Sequence, residues 1–569
     1  MIKRITAIIG IGFLFSTGLL AQDLDAISLK KGVKFSGGFD FSNTFYSGNS
    51  GMINRAPYIY FLRGNINVNM FGFDLPFSFA YSNTSKSYTQ PFNRFQFAPK
   101  YKWAKLYVGS TAMNFSKYTL AGHQFTGAGV ELTPGKWSIS AMYGRLLKAI
   151  EYDPLLDNLY TASFKRMGYG LKVGYADKGD EVNIILFSAK DDVKSLKYHV
   201  PDEADLHPMQ NTSISVYGKK AFLKHFFVQA EYAFSTFNSE LRNETGEVIT
   251  SSNLINKLFG TKKSSRYLDA VNASVGFQNP LWGVLLGYER VSPNYQTLGG
   301  YYFVNDIEIF KIAPNVKLLK GKLNLAGSLG LEYNNLDDAK GNNTNRTVGS
   351  ANVSFMPNEA WNATLGYSNF STYTKVKPTA YPYYTDNLDS LNFYQVTQTF
   401  NTMVSYSFGN KEKLMNTLMT TGSYQTGSAK AGNAQGNYSN FLTLMASVGQ
   451  QWIPKNLSWA AFFSINYANA TDLQMLYWGP GVSLSKSFLK NSLTGGFTCN
   501  YNQSKMDGKI ASSLLNTSLS LQYSLQGIDK KLGKHGLSLN SGLTNYLGTE
   551  TDKKRKYEWL TTITYSVKF

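Results

Sequence analysis

Run after run of about ten residues in this chain alternates apolar with polar side chains, and the connections between runs alternate short with long. Leu323, Leu325, Leu329, Leu331 and Tyr333 interleave with Asn324, Ala326, Ser328 and Glu332. Phe226, Val228, Ala230, Tyr232 and Phe234 interleave with Gln229, Glu231 and Ser235. Trp459, Ala461, Phe463, Ile465 and Tyr467 interleave with Ser458, Ser464 and Asn466. A period of two marks a strand whose two faces meet different surroundings. About ten residues is also the length that crosses a bilayer at a tilt, whereas strands of soluble sandwiches average roughly five or six.

The connections narrow the choice further. Short turns fall at Phe71-Gly72-Phe73-Asp74, Thr133-Pro134-Gly135-Lys136, Asp177-Lys178-Gly179-Asp180, Leu319-Lys320-Gly321-Lys322, Met356-Pro357-Asn358 and Ile453-Pro454-Lys455-Asn456. Between them lie longer polar segments at 191–206, 239–266, 334–346, 374–390 and 427–436. Short turns on one rim and long loops on the other are the layout of a transmembrane β-barrel. Trp103, Trp137, Trp282, Trp361, Trp452 and Trp459 all lie near a short turn, where an indole half-buried at a membrane interface keeps its N–H wet. The fold class is therefore all-β: a single large closed antiparallel barrel in an up-and-down meander. Counting runs from residue 33 gives about 26 strands, within a range of roughly 22–26. An even number puts both termini on the short-turn, periplasmic side, with the long loops extracellular. Pro99 and Pro314 interrupt runs and call for a bulge or a break, and Tyr118 to His123 reads as a loop or a short strand.

Composition agrees with strands. The chain is 15% aromatic, with 50 glycines, 38 tyrosines and 16 prolines, and helix-favouring charged runs are scarce. No linker divides its 569 residues, so one very large unit is expected. A single cysteine, Cys499, excludes an intramolecular disulfide and a cysteine-rich metal site. The formal charge of +19 is scattered through turns and strands, without a recognition helix or aromatic RNA-binding motif. It fits contact with outer-membrane lipid and lipopolysaccharide phosphates, not with nucleic acid.

Both ends carry further signals. Lys3 and Arg4 precede the apolar stretch Ile5 to Leu20, and Ala21 is followed by Gln22 and Asp23. That layout reads as a cleaved signal peptide over residues 1–21, then a short periplasmic segment at 22–32 and the barrel over 33–569. At the other end Ile563, Tyr565, Val567 and Phe569 share one face, and Thr562, Thr564, Ser566 and Lys568 share the other. This strand resembles the closing strand of bacterial outer-membrane β-barrels, whose terminal aromatic is read by the barrel-assembly machinery. The resemblance implies the outer membrane of a Gram-negative bacterium, with that machinery as a partner during insertion. Its neighbour at the seam should be the first strand, near Val33 to Tyr46. Asp389-Ser390-Leu391 resembles the short O-glycosylation motif of Bacteroidota.

In length and barrel scale the chain also resembles TonB-dependent receptors, which carry a separate N-terminal plug domain. Here only Gln22 to Lys31 precede the first strand. The lumen is then filled by inward-folding loops or by a plug or other envelope protein. Segment 239–266 is the internal candidate, because Leu254, Ile255, Leu258 and Phe259 suit a short amphipathic helix.

If the apolar side chains face lipid, the alternation also predicts what lines the lumen. Arg94, Lys100, Lys102, Arg166 and Lys172 point inward, as do Glu131, Glu231, Glu289, Asp306, Glu308 and Glu332. Beyond residue 345 the inward set is neutral, as at Asn362, Thr364, Gln395, Thr397, Asn401, Thr498 and Asn500. Charges of both signs either set up a field across a wet passage or pair with one another. Catalysis is not expected. His199 and His207 share a loop with Asp202, Glu203 and Asp205 but lack compact ligand spacing. His123, near Ser116 and Asp153, has no serine-hydrolase context, and no P-loop, HExxH or dinucleotide fingerprint occurs. No cofactor is implied. The expected role is a barrel subunit of a larger envelope complex for transport, secretion or barrel assembly. A stand-alone channel for small hydrophilic or charged solutes is the alternative, and an outer-membrane hydrolase the third reading.

Overall fold

The computed structural model describes residues 33–50, 55–83, 93–152, 162–198, 200, 206–242, 266–301, 304–338, 345–369, 396–429, 437–470, 473–525, 533–547 and 555–569. The signal at 1–21, the segment 22–32, the stretch Leu254 to Phe259 and the Asp389-Ser390-Leu391 motif lie outside the described residues.

Alternating sequence gives alternating faces throughout. The 27 strand segments, 8 to 17 residues long apart from two short pieces, form one antiparallel sheet in which each strand pairs with the next. The two short pieces, Arg94–Phe97 and Lys100–Tyr101, hold a common register against both neighbours, with Phe77↔Phe97 and Asp74↔Lys100 on one side and Gln96↔Gly109 and Lys100↔Lys105 on the other. They are one strand interrupted at Pro99, so the wall has 27 − 1 = 26 strands. Pro99 has no N–H to give the ladder, but its carbonyl still accepts from Leu106 N–H at 2.9 Å. Pro314 departs from expectation. It sits inside the unbroken strand Ile307–Leu318, and the register against the following strand is the same before and after it (Ile312↔Leu329, Asn315↔Ala326). A missing donor on one side is absorbed there without a bulge.

The sheet closes on itself. The first strand, Val33–Gly48, pairs antiparallel with the last, Lys556–Lys568, setting Phe39 opposite Val567, Phe41 opposite Tyr565 and Asn43 opposite Ile563. Phe569 N–H donates to Gly37 O at 3.0 Å, and Gly37 N–H donates to Phe569 O at 2.8 Å. On the opposite face of the seam the hydroxyls of Ser42 and Thr564, and of Thr44 and Thr562, meet at 2.9 Å. Closure leaves no unpaired edge, which is the condition for placing a sheet in hydrocarbon.

The outer face is apolar and exposed: Leu329, Phe310, Leu365, Leu418, Phe463 and Val482 all point away from the lumen. Trp103, Trp137, Trp282 and Trp361 ring the short-turn rim, each about half exposed. Neighbouring rings steady them, Trp361 lying 4.5 Å from Tyr406 and Trp282 4.5 Å from Phe277. This is the aromatic girdle of a membrane-spanning barrel. Phe463→Arg on the outer face should therefore lower stability by about 2–4 kcal/mol, whereas Asn401→Arg on the inner face should be nearly neutral. Denaturant titration of the barrel in lipid vesicles measures both, and equal losses would mean that the faces are wrongly assigned.

Candidate functional site

Among the described residues, the lumen holds a second layer of structure on one side. After the strand Ala104–Asn114 the chain turns inward as the loop Phe115 to Leu120, and after Trp282–Val291 it turns inward again through Tyr295 to Gly299. The two loops meet. Leu120 bridges Gly299 in parallel, and Ala121 N–H donates to Gly299 O at 2.8 Å. Tyr295 Oη donates to Tyr118 O at 2.8 Å, and Thr297 Oγ1 to Thr119 O at 2.6 Å. Tyr118 and Tyr295 are fully buried with their rings edge to face. Burial, reinforced by the Glu289 carboxylate, pushes the Tyr118 phenol far above its ordinary range, so it remains a donor.

The inner wall beneath these loops is apolar. Met113, Phe115, Phe125, Met142, Leu146, Ile185, Phe187, Val291 and Ile307 form one buried cluster with the loop tyrosines. Glycines make the hollows: a side chain at Gly144 would press on the Phe125 ring, and one at Gly170 on the Phe115 ring, each at 2.7 Å. Polar side chains on the wall then tie the loop backbone down. Asn211 receives Leu298 N–H at 3.2 Å and donates to Ser235 Oγ at 2.8 Å and Thr236 O at 3.0 Å. Ser235 Oγ donates to Gln296 O at 3.0 Å. The result is a buttress spanning the strands from Ala104 to Leu318, built from loops that the wall was shaped to receive.

The residues expected to line the lumen divide by environment. Glu231 and Glu289 belong to the buttress: Glu231 accepts from Ser215 Oγ at 2.7 Å and from Ser116, while Glu289 pairs with Lys117 and accepts from Tyr118 Oη at 3.1 Å. Lys172 Nζ donates to the Phe115 carbonyl at 3.4 Å. Arg166 makes a two-pronged bond with Asp191, Nε to Oδ1 at 2.7 Å and Nη2 to Oδ2 at 2.9 Å, in a buried cross-strand pair. Glu131 accepts from Tyr107 Oη at 2.8 Å, and Glu332 is buried on the inner face. Arg94 and Lys100 share the inner face of the interrupted strand.

Three residues are placed otherwise. Lys102 lies in the turn before Ala104, with Nζ 5.2 Å over the Tyr101 ring. Asp306 precedes its strand and caps a loop, accepting from Leu336 N–H at 2.8 Å. Glu308 is on the outer face, opposite Arg290 and bonded to Tyr288 Oη at 2.7 Å. The reason is that its neighbours Ile307 and Ile309 turn inward onto the buttress, so the alternation there is inverted. In the histidine loop, His199, Asp202, Glu203 and Asp205 lie outside the described residues. His207 meets Glu240 at 2.6 Å, and hydrogen bonds from Arg242 hold the Glu240 carboxyl down at about 2. Among the described residues no three histidine, cysteine or acidic side chains gather as a metal site would require.

The remaining inner wall is uncovered among the described residues. From Ser350 onward it presents Asn352, Thr364, Asn401, Thr421, Thr443, Asn466, Thr498 and Asn516. Where the buttressed wall meets the first strands there is a cavity of about 750 Å³, lined by Asp40, Arg63, Asn65, Ser78, Arg94, Gln96, Lys105 and Tyr107 among others. Arg63, Lys105, Asn211, Tyr118 and Tyr295 were not singled out by the alternation. Arg63 and Lys105 were legible as the polar members of their strands, but the two tyrosines sit in a connection, where the period gives no direction.

No protein-family model and no curated protein matches the chain. Among solved structures it is similar to the siderophore receptor PirA from Pseudomonas aeruginosa, at 9% identity over 93% of this chain and 80% of that one, with a TM-score of 0.39. The P pilus usher (PapC) translocation pore is similar at 10% identity over 94% and 99%, with a TM-score of 0.27. OccAB2 of Acinetobacter baumannii is similar at 11% identity over 64% and 92%, with a TM-score of 0.28. Likeness at this level assigns the chain to none of these families.

Proposed function

We propose that this chain is the membrane-spanning barrel of an outer-membrane transport or secretion assembly, its lumen narrowed by its own buttress and completed by a partner protein. The wall left uncovered among the described residues carries this reading. At about 4.8 Å per strand and a tilt of roughly 40°, 26 strands give a backbone circumference of about 160 Å. Among the described residues the buttress lines the sector from Ala104 to Leu318, and the neutral polar wall beyond it is suited to a hydrated occupant or a second protein. Isolation in mild detergent should yield the barrel with another envelope protein in fixed stoichiometry, and removing that protein should raise conductance in planar bilayers. A barrel isolated alone, with a small and stable conductance, would overturn the assembly. That result would favour a free-standing channel for small charged solutes, the reading to which the basic cavity alone points.

A further inference from the structure

The cavity on the first strands has an arrangement that the wall itself does not need. Asp40, Arg63, Ala80 and Arg94 form a single cross-strand row on four adjacent strands, Asp40 opposite Arg63, Arg63 opposite Ala80 and Ala80 opposite Arg94. The two arginines are thus two strands apart, with Cα atoms separated by about 10 Å, and only a methyl group stands between them. Guanidinium arms of that length reach a common point above Ala80. Among the described residues neither guanidinium makes a side-chain hydrogen bond or an ion pair, although Asp40 faces Arg63 in the row. Arg94 has no acidic neighbour in it. Lys105 lies lower on the same wall, its Nζ 4.5 Å over the Tyr107 ring. With three cations and one carboxylate, the lining has a net charge of 3 − 1 = +2.

Two guanidinium groups brought to a common point repel one another unless an anion lies between them. An oxyanion does so best with arginine, whose planar fork meets two oxygens at once. The wall has hydrocarbon behind it, which strengthens the field inside the passage. Asn65, Ser78 and Gln96, on the row beneath, supply donors and acceptors of the kind that bind hydroxyl groups. Gln96 Nε2 is already directed across the floor to Thr111 Oγ1 at 2.9 Å. The volume of about 750 Å³ suits a small molecule. All of these side chains face the lumen, away from the bilayer headgroups.

We infer that this cavity binds a small phosphate-bearing solute of about monosaccharide size, its phosphate held between Arg63 and Arg94. The inference goes beyond the assembly proposed above and holds whether or not a partner fills the rest of the lumen. The test is calorimetric titration of the purified barrel in detergent with glucose 6-phosphate, inorganic phosphate and glucose, folding being verified by heat-modifiable migration. Glucose 6-phosphate should bind saturably, inorganic phosphate more weakly and glucose not at all. Arg94→Gln and Arg63→Gln should each weaken glucose 6-phosphate binding by about tenfold or more, and Lys136→Gln on the short-turn rim should leave it unchanged. Absence of saturable binding to the folded wild-type barrel overturns the inference, as does unchanged affinity in whichever arginine variant folds. Binding of lipid A in mixed micelles, with neither soluble phosphate bound, would assign the site to a lipid headgroup and overturn it equally.

Discussion

Gly37→Val should leave the barrel unable to close. Gly37 has φ +154°, in a region that residues with side chains rarely enter, and a Cβ built there would lie 2.3 Å from the Asn65 carbonyl oxygen. The backbone region alone costs roughly 1–3 kcal/mol for a side chain to enter. The collision adds to that, because the atom struck is main chain in the neighbouring strand and has no rotamer by which to retreat. The position is also the one whose N–H and C=O hold Phe569, so the disturbance falls on the last bonds of the seam. The variant should lose the heat-modifiable, SDS-resistant form that marks a closed barrel. Gly218→Ala is the matched control: its Cβ would meet nothing within 4 Å, and it should fold normally. Equal behaviour of the two would refute the seam geometry.

Asp191→Ala should destabilise the folded barrel by about 3–5 kcal/mol, the usual consequence of stranding one member of a buried ion pair. Asp191 and Arg166 are 2% and 10% exposed, so truncating the carboxylate leaves the guanidinium at a site shielded from water. Asp191 also accepts from Met209 N–H at 2.9 Å, fixing the chain that enters the next strand. The paired replacement Arg166→Met with Asp191→Leu should recover most of the loss, because it removes both charges and keeps the volume. What it cannot restore is the acceptor for Met209, so a residue of about 1 kcal/mol should persist. Equilibrium unfolding in denaturant separates these values. If the double variant is as damaged as the single one, packing and not charge governs the site.

Where the chain is one layer thick, its architecture could be read from alternation alone. Leu329 and Leu331 out, Ser328 and Gly330 in, is a statement about two solvents, and the strands from Ser350 onward obey it. The seam was legible for the same reason: Ile563 and Tyr565 fall on the face of Phe41. The buttress was not, because there the wall has apolar neighbours on both sides. Ile184 and Ile185 are adjacent in sequence, one exposed outside and one buried beneath a loop, and period two has nothing to distinguish them. Glu308 failed by the same mechanism: two isoleucines that face protein carry the same signal as two that face lipid. Lys102 failed differently, because its strand ends one residue earlier at Tyr101.

The uneven thickness of the wall has a mechanical consequence. Resistance to bending rises steeply with the thickness of a sheet, and the sector from Ala104 to Leu318 is doubled by loops bonded to its inner surface. The remainder, which contains the seam between Val33–Gly48 and Lys556–Lys568, is a single ply among the described residues. A load inside the barrel is therefore borne by two unequal springs in series around one hoop. The stiff arc keeps its curvature and the compliant arc takes up the strain, so the bore widens by flexing the side that carries the neutral polar wall.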